Sequence, residues 1–253
     1  MRVISLVPSM TESLLKSSAS IVGVTRYCEI EGYTIVGGTK DPAIDKIVEI
    51  APDLVILDKH ENRREDYEEL TKRGLTVFAT SIASVGDLIR DFNCLNTDFN
   101  LNFPSIEDNI PNYSPIDLNN APEIPNHAMG HQGDNQGAPI RALVPIWRNP
   151  YMVINSMTYA GDLLKRIGVE VVGGETEYSK VDLATYRGKV DVILAPSEPY
   201  KFTKRQLPEL MQIVPRVEFV DGKDLFWWGT RTPGALDRLR LQIAQLELGS
   251  STP

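Results

Sequence analysis

Apolar and polar positions follow two rhythms along this chain. A short apolar run at residues 3–6 stops at Pro8 and reads as a strand, and "PSMTESLLKSS" follows it as a short helix carrying Leu14 and Leu15, with Ser9 or Thr11 as its cap. "SIVGVTRY" is the next strand. Ile44, Ile47, Val48 and Ile50 then recur at helical spacing between Pro42 and Pro52, ahead of a buried strand at residues 54–57. "ENRREDYEELTKRG" is a polar-faced helix closed by Gly74, and "LTVFAT" a further strand. Strands alternating with helices predict a parallel sheet with right-handed crossovers.

The same grammar returns after a gap. "RALVPIW" reads as a strand, "MTYAGDLLKRIG" as a helix ending at Gly168, and "VEVVGG" as extended chain. "KVDVILAPSEPYKFTKRQLPELMQIVPRVEFVDG" repeats the plan of "APDLVILDKHENRREDYEELTKRGLTVFAT": Asp, a four-residue apolar strand, a polar loop, a helix and a second strand. A last helix is predicted over 235–248. The pattern gives two Rossmann-like α/β lobes with parallel central sheets, over residues 1–92 and 141–253. Between them, residues 93–140 are dense in Asn and Pro, with prolines at 104, 111, 115, 122 and 125 that forbid a long helix. This segment reads as an irregular interlobe connection.

Composition narrows the function. The chain has 253 residues and a formal charge of -8, which argues against a nucleic-acid partner. No apolar run approaches the roughly 18 residues of a membrane span. Cys28 and Cys94 are the only cysteines, so neither a disulfide framework nor a Cys-based zinc spacing is present. "MRVISLVPS" lacks the basic start and apolar segment of an export signal, so a cytoplasmic monomer is expected as written, or a periplasmic one if the native N-terminus is longer.

Several residues carry candidate chemistry. Trp147, Arg148 and Tyr151 surround a proline where a strand runs out, an arrangement that serves a ligand or a partner. His60 stands among acids in "DKHENRRED", as an axial ligand to a chelated metal or as a loop hydrogen-bonder. His127 and His131 have i, i+4 spacing, but Gly130 and the Pro/Asn context make a shared helix face doubtful. Cys28 reads as a ligand or as inert packing. Neither "VGG" opens a phosphate-loop helix, and "PSMTES" lacks a hydrolase elbow.

"RVISLVPSMTES", "IVGVTRYC" and "VGGTKDPAIDKIVEIAPDLVIL", with "IWRNPYMVINSMTYAGDLLKRIG" and "FWWGTRTPGALDRL", resemble class III substrate-binding proteins of the helical-backbone metal receptor superfamily. The closest likeness is to the cobalamin-binding branch, over residues 2–90 and 141–247. The resemblance implies two lobes around a ligand cleft, no catalysis, no required cofactor, and delivery of cobalamin, haem or a ferric siderophore to an ABC importer permease. By position, the first lobe would contribute Pro8, Tyr27, Thr39, Lys40 and the loop 58–62, with Asp58, Lys59, His60 and Glu61. The second would contribute Trp147, Arg148, Tyr178, Trp227, Trp228 and Arg231.

The aromatics in this set are expected to wall a flat ligand, or in part to pack into the core. Lys40, Arg148 and Arg231 would hold its oxygens, or stand as solvated charge. For permease docking, Asp45 keeps the first lobe's carboxylate, whereas the second aligns with Ala184, with Asp182 two positions away. The linking helix of the superfamily is replaced here by the Asn/Pro-rich segment. The alternative function is an enzyme acting on a tetrapyrrole or a small acidic substrate, with Tyr27, Cys28, His60 and Glu61 as its acid–base groups.

Overall fold

In the computed structural model, which describes residues 1–111, 113 and 139–248, the first apolar run forms strand β1, Arg2–Ser5. It is followed by α1 (Pro8–Leu14) and β2 (Ser20–Val24). Helix α2 (Ile44–Ile50) leads into β3 (Leu54–Asp58), and α3 (Arg64–Lys72) into β4 (Val77–Thr80). The four strands pair in the order β2-β1-β3-β4, all parallel. Ile4, Leu6, Val55 and Leu57 from the sheet pack with Ile47 of α2 and Leu70 of α3 to make the buried core.

One local detail differs from the sequence expectation. Neither Ser9 nor Thr11 caps α1: the cap position is Val7, without a side-chain bond, and Pro8 takes the first turn. Proline has no N–H to satisfy and a φ already suited to that position. Thr11 and Ser13 sit inside the helix and donate back to the carbonyls of Val7 and Ser9, at 3.0 and 3.1 Å. Pro42 stands near the start of α2 as expected, bridging to Gly37 two residues before the helix begins.

Helix α4 runs over Val85–Phe99, past residue 92 and into the Asn-rich stretch. Leu88, Phe92 and Leu95 are buried at i, i+4 and i+7, so the helical period continues beneath the asparagines. Ser84 caps the start and Asn100, at φ 52°, ends it. Asn96 then ties down the chain beyond, accepting from the N–H of Phe103 at 2.7 Å and donating to its carbonyl at 3.1 Å. Leu101, Phe103 and Ile106 are buried. The first compact unit accordingly comprises Met1–Ile110 together with Trp227–Pro233, and the second comprises the described parts of Pro111–Phe226 and Gly234–Pro253.

The second unit repeats the plan of the first. It opens with β5 (Ile140–Leu143), β6 (Pro145–Trp147) and β7 (Met152–Ile154), followed by helix α5 (Tyr159–Lys165) and β8 (Val169–Val171). Strand β9 (Tyr178–Lys180), β10 (Val192–Pro196), α6 (Leu207–Leu210), β11 (Val217–Val220), α7 (Gly222–Phe226) and α8 (Thr232–Leu248) complete it. The parallel sheet is ordered β11-β10-β5-β8. Taken in chain order within each unit, both sheets read second, first, third, fourth.

"RALVPIW" is not one strand. It breaks at Val144, and β6 enters a separate antiparallel sheet, β6-β7-β9. Pro145 has no amide hydrogen to give a central parallel ladder, and the chain leaves the sheet at that point. Helix α8 starts three residues before the expected 235, at Thr232 followed by Pro233, a helix-opening pair.

Candidate functional site

In open α/β sheets, ligands meet the loops beyond the carboxyl ends of the two central strands whose crossovers leave in opposite directions. That place is the end of β1 and β3 in the first unit and of β5 and β10 in the second. Most of the residues singled out from sequence gather at one or the other.

In the first unit a buried side chain organises the rim. The Oδ1 of Asn62 accepts from the N–H of Asp58 at 2.8 Å, and its Nδ2 donates to the carbonyls of Leu6, at 3.1 Å, and Thr39, at 2.8 Å. Three loops are thereby joined: the exit of β1 at Pro8, the turn holding Thr39 and Lys40, and residues 58–62. Lys40 adds a second tie, its Nζ donating to the carbonyl of His60 at 2.8 Å. Gly37 is required in this turn, because at φ 104° a Cβ would lie 2.5 Å from the carbonyl oxygen of Asp41.

The Asp58 carboxylate faces inward. It is buried and accepts from the N–H groups of His60 (2.8 Å) and Glu61 (3.3 Å) and from the Thr80 hydroxyl (2.7 Å). Its part is to shape the loop that presents Lys59, His60 and Glu61, which are exposed. Tyr27 is exposed as well, with the Arg26 guanidinium over its ring at 5.5 Å.

Residues 227–233 had been read as part of the second lobe but pack with the first. The Thr230 N–H donates to the Ser13 hydroxyl at 3.0 Å, and Arg231 pairs with Glu12 at 3.1 Å, both partners lying on α1. Gly229 makes the approach achievable: its φ is 130°, and a Cβ there would meet the Ser13 Oγ at 2.1 Å. The adjacent tryptophans divide as neighbours on extended chain do. Trp228 is buried, and Trp227 is half-buried beneath Arg231, 5.8 Å from ring centre to guanidinium carbon.

In the second unit the chain leaving β5 enters β6, which ends at Trp147, whose side chain is half exposed. It meets Tyr200 edge-on at 5.7 Å, and Tyr200 in turn meets Phe202 at 4.8 Å, so that the exits of both central strands are joined by an aromatic row. Arg148 is committed to Glu209, with Nε and NH2 donating to one carboxylate oxygen at 3.1 and 3.0 Å. Tyr151 packs against the core, with its hydroxyl buried and lacking a hydrogen-bond partner. Burial, with the Glu209 carboxylate beside it, pushes the phenol up to about 12. Tyr178 opens β9 and is exposed. Of the trio noted at this strand end, Trp147 is the exposed aromatic.

The Cys28 thiol is buried, donating to the Thr11 hydroxyl at 3.2 Å and lying 3.3 Å from that of Thr25, the surroundings of an inert packing cysteine. Among the described residues no group of three or more His, Cys, Asp and Glu converges as a metal site. His127 and His131 lie outside the described residues. Asp45 stands exposed in the first turn of α2, paired with Arg73 at 2.6 Å. Asp182 is occupied as a cap, accepting from the Ala184 N–H at 2.9 Å, and Ala184 itself is exposed.

Sequence reasoning passed over Asn62 as an organiser, Glu12 and Glu209 as partners of the arginines, and Tyr200. A signal for Tyr200 was present in "PYKF", where two aromatics two positions apart follow the third strand of the lobe. Nothing local marks the other three, because the partners of Glu12 and Glu209, and the Leu6 and Thr39 carbonyls that Asn62 ties together, lie far along the chain.

No family model and no curated protein sequence matches the chain. Solved structures do. The periplasmic haem-binding protein BhuT, in complex with two haems, superposes with a TM-score of 0.73 at 14% identity, covering 97% of this chain and 98% of that one. The apo periplasmic haem-binding protein RhuT from Roseiflexus sp. RS-1 gives 0.71 at 18%, covering 97% and 98%. The periplasmic vitamin B12-binding protein BtuF of Vibrio cholerae gives 0.68 at 16%, covering 97% of each chain. At these identities the likeness establishes the fold, and it is the fold that the sequence motifs resembled.

Proposed function

We propose that this protein binds a metal chelate of the haem, cobalamin or ferric-siderophore kind, without catalysis, through the loops at the central strand ends of its two units. The observation that carries this is the repeated strand order, which puts the Asn62-organised rim in one unit and the Trp147–Tyr200 row in the other at the positions where open sheets take ligands. The fold neighbours that bind haem or vitamin B12 support the class of ligand. Aromatic faces would cover the flat body of the chelate, and Lys40 and Arg231 would meet its carboxylates or amides. The chelate is cargo, and no cofactor is needed for this role.

Delivery to an ABC permease is the natural extension, and Asp45 is the docking carboxylate it would use. The periplasmic setting of the fold neighbours supports that extension and a periplasmic location. Of the acid–base groups the enzyme alternative would use, Cys28 is enclosed, hydrogen-bonded to the Thr11 hydroxyl. An absorption-monitored titration with haem and aquocobalamin tests the reading. Saturable binding at micromolar concentration or below is expected for at least one of them, and its absence for both, with no ferric siderophore binding either, would sink it.

A further inference from the structure

The first unit carries an apolar pocket of about 200 Å³ between α3 and the strands β3 and β4. All of its lining comes from residues 57–79. Leu57 and Ala79 are register partners on the two strands and form its floor, and Tyr67 of α3 is its wall. The space has a simple origin. Helix α3 sends one large apolar side chain, Leu70, fully into the core, while the position a turn earlier is Asp66, drawn to Arg63. Opposite that turn, Ala79 offers only a methyl group where a larger strand residue would fill the gap.

The polar atoms around the pocket are already occupied. Asp58 and Asn62 spend their side chains on the loop bonds described above. Arg63 is held by Asp66 at 2.9 Å and Arg64 by Glu68 at 2.7 Å. Lys59 is different: it is exposed at the mouth and takes part in no side-chain hydrogen bond or ion pair among the described residues. An apolar chamber with one uncommitted ammonium at its mouth matches a ligand with an apolar body and a single anionic end.

We propose that this pocket binds a small aryl or branched-chain carboxylate, with its body against Leu57, Tyr67 and Ala79 and its carboxylate at Lys59. The volume is below that of a drug-sized site and excludes a tetrapyrrole. The pocket is thus a second ligand site, separate in chemistry from the chelate site.

The test uses benzoate as the probe and benzamide as its uncharged isostere, followed by saturation-transfer NMR on the full chain. Benzoate is expected to bind saturably in the millimolar range, and benzamide about fivefold more weakly, the worth of one exposed ion pair. Lys59→Gln should reduce benzoate binding to the level of benzamide. Ala79→Phe should abolish it by filling the chamber, and Tyr67→Ala, on an exposed helix position, should weaken it without threatening the fold. Haem and cobalamin titrations of Ala79→Phe and Tyr67→Ala should be unchanged. Absence of saturable benzoate binding, equal binding of benzamide, or persistence in Ala79→Phe would overturn the proposal. So would a parallel loss of chelate binding in Ala79→Phe, which would make the pocket part of the other site.

Discussion

A few side chains decide whether the rims have a shape at all. Asn62 holds three backbone groups from separate loops, so Asn62→Ala leaves buried donors and acceptors without partners and should cost about 2–4 kcal/mol in urea denaturation. Gly229→Ala meets both a positive φ and the Ser13 hydroxyl, and a loss of about 2 kcal/mol or more is expected. Tyr151 offers the opposite case. Its hydroxyl is buried without a partner, so Tyr151→Phe should be neutral or slightly stabilising. Because the folded phenol ionises later than an unfolded one, the folded state holds the proton more tightly. Stability should therefore fall as pH rises from about 10, the unfolded value, to about 12, and the fall should be shallower in Tyr151→Phe. Differential scanning calorimetry across that range reads the difference.

Elements obey the hydrophobic period even where composition disguises it. Helix α4 was hidden by Asn93, Asn96 and Asn100, yet Leu88, Phe92 and Leu95 keep its stripe and Ser84 its cap. Ser84→Ala should lower stability by about 1 kcal/mol, measured by the shift in urea midpoint. A weaker effect is expected where the two central strands of the second sheet begin, at Arg141 of β5 and Asp191 just before β10: the Arg141 side chain donates to Asp191 twice and its backbone adds a third bond. The Arg141 guanidinium holds the Asp191 carboxyl below its usual range, so its contribution is present above about pH 4 and fades as pH falls through the lower folded value. Both side chains are well exposed, and the loss in Asp191→Asn should be under about 1 kcal/mol and shrink in salt. The strands and helices that were legible are those whose stripe or alternation is local. What was not legible depended on distant partners: the return of residues 227–233 to α1, the antiparallel sheet built on β6, and the commitment of Arg148 to Glu209.

For the molecule as a whole, the repeat of one strand order in two units explains why the echo between "PDLVIL" and "VDVILA" was visible in the sequence: both are the third strand of their sheet. Trp147 ends β6 of the second unit and Trp227 packs with the first, and the proposed function gives the ligand a contact with each. The deciding measurement is an absorption titration with whichever of haem or aquocobalamin binds, run on the wild type, Trp147→Ala, Trp227→Ala and the double variant, with thermal melts to confirm folding. The account predicts that each single change weakens binding about tenfold or more, as loss of a large aromatic contact should, and that the double variant binds more weakly than either. Undiminished affinity in one of the single variants, with the loss confined to the other, would contradict it by placing the ligand on one unit alone.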